Sequence, residues 1–396
     1  MNLLAAMKSR LAMIFALAAC LSSCGSYAHD HGDVQASGPG AVSNIDPKII
    51  DTNNQRQLGE LVGQLARNRV LFIGEVHDRL EHHRNQLNII KSVYARYPDL
   101  AIGVEYFQKP FQPYLDDYIA GRITERQMLV KTEYFKRWQL DFRLLQPIFQ
   151  FARENHIPIV ALNVSDEIHN KVFIGGMKSL SPEELAQTPD DMEPASESYL
   201  KRLKSIFNSH PTSNNFDTFV EGVLLWDESM ADTAARYLKA HPKSRMVILA
   251  GMVHVMYGDG IPERLDRRLG SDQSVVAING NDFGDYPGIA DYQLITREGV
   301  DLPKAGKLGV SITDSSGTDG RQGVHISDFS GGSAAQAAGL AAGDVIVALN
   351  GEKVANLLDL KSMMFDKQPG ERVQVLVQRA GTRHSEKELR FEVVLR

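Results

Sequence analysis

Two short segments end an apolar run in the same way. VLFIGEVHD, from Val70 to Asp78, and VILAGMVHV, from Val247 to Val255, each stop at a glycine followed three positions later by a histidine. An imidazole is an expensive residue to bury without a partner, so its recurrence at the end of two hydrophobic stretches points to chemistry. The first segment contributes Glu75 and His77 and the second His254, while LAIGVE ends in Glu105 and IPIVALN in Asn163. Two imidazoles with one or two carboxylates suit a divalent ion such as zinc, manganese or iron, with positions left for water or substrate. On extended backbone Glu75 and His77 project to the same side, and Gly74 and Gly251 permit a sharp turn or a close approach. His82 and His83 stand where the next helical stretch begins, and a solvated face accounts for them.

These side chains can act together only if the fold gathers the ends of several strands. From about Lys48 to Thr296 short apolar runs alternate with helical periodicity: RVLFIGE, LAIGVE, IPIVALN, RMVILAG, SVVAING and DYQLIT read as strands. EHHRNQLNIIKSVYARY, DFRLLQPIFQFAREN and NNFDTFVEGVLLWDESMADTAARYLKAH read as helices. This alternation predicts an α/β fold, a mostly parallel sheet flanked by helices. In such sheets polar chemistry collects beyond the carboxyl ends of the strands, where Glu75, His77, Glu105, Asn163 and His254 all fall.

The chain of 396 residues carries 43 basic and 49 acidic side chains, a formal charge of -6, with no long basic block. That balance gives no support to nucleic-acid binding. At the N-terminus Lys8 and Arg10 precede LAMIFALAACLSSC, an apolar stretch too short to span a bilayer stably. LAAC and LSSC both resemble a bacterial lipobox. Cys24 is the preferred lipidation site because it allows the longer apolar region and precedes Gly25 and Ser26; Cys20 is the second choice. These are the 2 cysteines of the chain, so the folded body has none for a disulfide or a metal. Residues 1–24 are thus expected to be a lipoprotein signal peptide and 25–47 a flexible tether. His29, Asp30 and His31 in the tether could catch a metal but suit a solvated linker better. With Gly25 rather than aspartate after Cys24, the resemblance to lipoprotein sorting signals implies the outer membrane, facing the periplasm.

FIGEVHD, IGVEYFQKPFQPYLDDYIAG, LLWDESMA and LAGMVHVMYGDGIPERL together resemble the ChaN-type haem-binding lipoproteins over roughly residues 55 to 295. That family is similar to the Tiki and TraB proteins and the erythromycin esterases. The resemblance implies two divergent activities, haem binding in bacterial iron acquisition or metal-dependent hydrolysis at paired Gly-x-x-His motifs. On the second reading His77, His254, Glu75 and Glu105 are the metal set. On the first, a tyrosine ligates ferric iron, with Tyr257 preferred and Tyr106 the alternative. The aromatic stretch EYFKRWQLDF, from Glu133 to Phe142, is a candidate wall for a porphyrin, with Arg137 or Arg143 on a propionate; a core role suits such a stripe better.

Residues 301–307, DLPKAGK, read as a linker between an α/β domain at 48–300 and a small β-rich domain at 307–396. The latter resembles a bacterial PDZ domain through KLGVSI and GGSAAQAAGLAAGDVIVALNGEKVANLLDLKSMM. The resemblance implies that amides near Leu308, Gly309 and Val310 hold the terminal carboxylate of a peptide or protein partner. A homodimer through this domain is open, as is a third role for the whole chain, a non-catalytic scaffold.

Overall fold

The computed structural model describes residues 46–209, 215–271, 273–281, 286–297, 301–314, 321–380 and 386–396. Cys20, Cys24 and the expected tether up to residue 45, with His29, Asp30 and His31, lie outside the described residues. In chain order the first elements are β1 (Lys48–Ile50), α1 (Gln55–Gln64), β2 (Val70–Glu75), α2 (Leu80–Arg96), β3 (Leu100–Gln108) and α3 (Gln112–Ile119). After α4 (Glu125–Lys131) and α5 (Tyr134–Arg137) follow α6 (Gln146–Glu154), β4 (Ile159–Asn163), α7 (Asp166–Gly175), α8 (Pro182–Leu185), α9 (Glu197–Ser209) and α10 (Phe216–Ala240). β5 (Arg245–Gly251), α11 (Ile261–Leu269), β6 (Ser274–Asn279) and β7 (Tyr292–Leu294) complete this part.

The described chain divides into two units, one of residues up to Arg122 and from Pro147 to Arg297, the other of Ile123–Gln146 and the residues from Asp301 on. In the first, seven strands run in the order β1-β7-β6-β2-β5-β3-β4, and every pairing is parallel. β2, β3 and β4 are buried along their full length, as strands covered on both faces must be. The long helix α10 starts under an Asn215 cap and buries Phe219, Val223, Met230, Ala234 and Leu238 at helical spacing. Its register matters for the site, because the same buried side carries Asp227 and Glu228, both 0 % exposed.

The second unit is an antiparallel sheet of β8 (Val310–Asp314), β9 (Val324–Phe329), β10 (Val345–Leu349), β12 (Arg372–Ala380) and β13 (Glu386–Val394). It runs in the order β13-β12-β10-β9-β8, with β11 (Glu352–Lys353) on β10 and two helices, α12 (Ala334–Ala337) and α13 (Leu357–Met364). Its core joins Val324, Ile326, Ile346, Leu360 and Val375.

Two groupings of residues bear on the expected boundaries. Residues 301–307 are built into the second unit rather than forming a free linker: Gly306 N donates to Lys367 O at 2.8 Å and Lys307 N to Arg396 O at 2.8 Å. The stretch 123–146, expected within a continuous α/β domain, groups with the β-rich unit. Thr124 caps α4 in a reciprocal capping box with Gln127, and Arg126 bonds Glu352 Oε2 at 2.6 Å. Phe135 and Phe142 stand 6.0 and 6.1 Å from the Phe365 ring. The aromatic stripe therefore packs core of the second unit. Arg137 is paired with Glu133 at 2.8 Å, and Arg143 with Asp141 and the Pro303 carbonyl at 2.8 Å.

Candidate functional site

The parallel register of the central strands sets the site. Glu75 at the end of β2 lies beside Gly251 at the end of β5, and β3 flanks β5 on its other side with Val104 opposite Leu249. Glu105 thus approaches Gly251 from the opposite side to Glu75, and its Oε2 accepts from Gly251 N at 2.6 Å. The glycines of both Gly-x-x-His segments make room. A Cβ on Gly251 would sit 2.9 and 3.0 Å from His77 Cε1 and Nε2, so the imidazole lies across the end of β5. A Cβ on Gly74 would meet Val255 Cγ2 at 2.7 Å and Met252 Cα at 3.2 Å, so the second histidine segment packs on the first strand.

Each imidazole is oriented through Nδ1 by a carboxylate. His77 Nδ1 lies 2.9 Å from Glu75 Oε1. His254, in a 3-10 turn at Met252–His254, has its Nδ1 2.7 Å from Asp227 Oδ1. Asp227 Oδ2 accepts from the Tyr199 hydroxyl of α9 at 2.6 Å, and His254 Nε2 looks toward Glu105 Oε1 at 3.8 Å. Burial works against protonation of His77, but Glu75 and Glu105 outweigh it and raise its pKa. At His254 burial is likewise overcome by Asp227 and Glu105.

Glu75 is enclosed and fully engaged. Beyond His77 it accepts from Gln86 Nε2 at 2.5 Å and faces His83 Nδ1 at 3.2 Å. Burial pushes its pKa up, yet His83 and His77 more than cancel that and bring it to about 2. His83 Nε2 is 3.0 Å from the His77 carbonyl, so both ring nitrogens of His83 face acceptors. His82 Nδ1 accepts from Val76 N at 2.9 Å, and burial lowers its pKa to about 3, which keeps the ring a neutral acceptor. The expected solvated pair is therefore 5 % and 3 % exposed and braces the first Gly-x-x-His segment from beneath.

Among the described residues no group of three or more His, Cys, Asp or Glu side chains is arranged to hold a metal ion. The expected ligands His77, His254, Glu75 and Glu105 do converge, but as a hydrogen-bonded network in which both Nδ1 atoms and both Glu75 oxygens are engaged. Asn163 serves the backbone here, donating to Glu105 O at 3.3 Å. Tyr106 is buried edge-on to His77, with centroids 6.3 Å apart. Burial and the adjacent Glu75 raise its hydroxyl well above the ordinary phenol range.

Tyr257 is half-buried in the turn after His254, at φ 61°, a left-handed conformation unusual for a bulky side chain. Its amide donates to Ile289 O at 2.7 Å and the Arg202 guanidinium lies 4.4 Å over its ring. Trp226 meets His254 edge-on at 5.8 Å and stacks on His169 at 3.9 Å. Asp227, Tyr199, His83 and Gln86 are the members that sequence reasoning missed. A signal for one was present in LLWDESMA, where an acidic pair occupies the apolar side of a helix.

In the second unit Gly309 has φ 74°, and a Cβ there would lie 2.8 Å from Ser333 Cα. Leu308 O accepts from Ala335 N at 2.9 Å and Ser333 Oγ at 3.1 Å. The amides of Leu308 and Gly309 donate to no acceptor among the described residues.

A family model described as haem-binding uptake, Tiki superfamily, ChaN, matches residues 61–265, just over half of the chain, and a PDZ domain model matches 300–378. A solved structure of cofacial heme binding to ChaN of Campylobacter jejuni is similar at 20 % identity, covering 63 % of this chain and 96 % of that one, with a TM-score of 0.47. An erythromycin esterase mutant in its open conformation is similar at 13 % identity over 62 % of this chain and 77 % of that one, TM-score 0.37. A probable periplasmic serine protease of the Do/HhoA-like type from Haemophilus influenzae is 30 % identical over 91 residues, 23 % of this chain. The chain spans 20 % of that relative's length.

Proposed function

Because the chain belongs to the ChaN haem-binding uptake family of the Tiki superfamily, we propose that its α/β unit binds haem at the strand ends where His77, Glu105 and His254 converge. The family match over residues 61–265 carries this reading. Haem here is cargo for iron acquisition. Its ferric iron suits a phenolate oxygen, and Tyr257, half-buried in the turn that follows His254, is the side chain assigned to it. Tyr106 suits that role less, since its buried hydroxyl beside Glu75 holds its proton. The second unit adds recruitment: the amides of Leu308, Gly309 and Val310 take the C-terminal carboxylate of a peptide or protein partner. Lipidation at Cys24 places the assembly on the periplasmic face of the outer membrane.

Hemin titration of the purified protein, followed by absorbance, tests the reading. Saturable binding with a ferric-tyrosinate spectrum is expected, lost in Tyr257→Phe while the melting temperature is kept. A wild-type protein that gives no saturable change rules the haem site out. Palmitate labelling that vanishes in Cys24→Ser tests the anchor.

A second reading has its own observation. Both imidazoles are anchored by a carboxylate at Nδ1, and the His254 Nε2, 3.8 Å from Glu105 Oε1, is placed to accept or deliver a proton there. That geometry suits general acid–base hydrolysis of an ester or amide. Turnover of activated esters that disappears in His254→Ala would favour it, and turnover unchanged by that substitution would dismiss it.

A further inference from the structure

We infer that the α/β unit holds a second small-molecule site, at the open edge of β4, that takes a small carboxylic acid bearing a hydroxyl or amino group. β4 ends the sheet, and its outward backbone groups need partners. The Gln112 side chain supplies them, donating to Ile159 O at 2.8 Å and accepting from Ala161 N at 2.7 Å. This amide plugs the edge against strand addition.

Beside the plug lies a cavity of about 470 Å³, lined by neither His77 nor His254. That is within the span of small-ligand sites, roughly 300 to 1,000 Å³. Three of its lining side chains have capacity to spare. Lys109 is half-buried, and among the described residues its ammonium has one acceptor, Gln187 O at 3.3 Å, for three donor hydrogens. Arg236, its side chain 72 % exposed, puts Nε on Asp232 at 2.8 Å, and the guanidinium's outer N–H groups can donate to a ligand. Asp116 has one oxygen on Gln112 Nε2 at 2.8 Å and a second that can accept.

Asp232 compensates the Arg236 charge, so the Lys109 ammonium and the outer Arg236 N–H donors together suit a monoanionic group, and the Asp116 oxygen calls for a donor on the same molecule. A dianion such as phosphate or succinate would bring its second charge toward Asp116, whereas a hydroxy or amino acid brings an O–H or N–H. Burial also depresses the Lys109 pKa against the pull of Asp232, so an anion beside it relieves an existing penalty.

The test is calorimetric titration and saturation-transfer NMR at constant ionic strength, with glycolate, L-serine, acetate and succinate as probes. Saturable binding of glycolate or L-serine is expected, with acetate and succinate weaker. Lys109→Met should weaken it roughly 10-fold or more, the loss that one charge-assisted hydrogen bond entails. Lys109→Arg should retain part of it, and His254→Ala all of it. Melting curves establish that each variant is folded. No saturable binding of glycolate or L-serine, equal binding of acetate, or binding undiminished in a folded Lys109→Met protein would overturn the proposal. The site stands or falls independently of hemin binding.

Discussion

The two Gly-x-x-His segments look alike in sequence and are held in different ways. In the first, the histidine is clamped by its own neighbour, Glu75, two residues back on the same strand end, and His77 keeps 10 % of its side chain exposed. In the second, the clamp comes from Asp227, twenty-seven residues away on α10. It is itself tied to Tyr199 on α9, and the His254 side chain is 3 % exposed. The first is a local device braced by α2 through His82, His83 and Gln86; the second is a tertiary device joining three elements. A repeated motif therefore fixes where an imidazole sits without fixing what holds it.

Removing the remote clamp should have the largest effect. Asp227→Ala leaves His254 Nδ1 and the Tyr199 hydroxyl without their buried partner, and about 3 to 5 kcal/mol of stability should be lost in urea denaturation. A cost below about 1 kcal/mol would mean that the tertiary clamp contributes no more than an exposed pair.

The local clamp should declare itself through pH. Glu75 has its pKa lowered from 4.5 to about 2, so its contribution is fully present above about pH 4.5 and is lost as pH falls toward 2. That shift corresponds to about 3 kcal/mol. His82, lowered to about 3 by burial, stays neutral in the folded protein and begins to cost stability below about pH 6.5, before the Glu75 window opens. In Glu75→Gln the lower acid limb should flatten while the limb that starts near pH 6.5 remains. His77 and His254, both raised, act with the opposite sign: their contribution is present below about pH 6.5 and is lost as pH rises through the raised values.

Steric tests are smaller. Gly251→Ala places a methyl 3.0 Å from His77 Nε2 and should cost about 1 to 3 kcal/mol by crowding the ring, readable as a lower urea midpoint. Smallest is Tyr199→Phe, which removes one hydrogen bond to Asp227 while leaving the aspartate on His254; about 1 kcal/mol is expected. If Tyr199→Phe matched Asp227→Ala, the hydroxyl rather than the imidazole pairing would be what the second clamp depends on.

Much of the fold was legible because backbone geometry writes it locally. β2, β3, β4, β5 and β6 coincide with apolar runs of strand length, and α2 and α10 with helical periods, since a strand or helix buries its own side chains at its own spacing. β1 was not legible: Lys48–Ile50 is three residues long and becomes a strand only by pairing with β7. The packing partners of the segment 123–146 were not legible for a related reason. Its aromatics announce that they will be buried, not against what, and Phe365 is more than two hundred residues distant.

By itself, then, the chain determined that two histidines and two glutamates stand at the ends of parallel strands, that glycines precede the histidines, and that a β-rich domain of PDZ type follows. Those features depend on neighbours within a few positions. Only the tertiary structure decided that Asp227 and Tyr199 anchor one imidazole, that His82 and His83 brace the other from a buried helix face, and that the aromatic stretch leaves the first unit for the second. Hydrogen-bond partners are chosen by which surfaces meet when elements pack. That choice depends on register and helix rotation across the whole core, which no short window of residues contains.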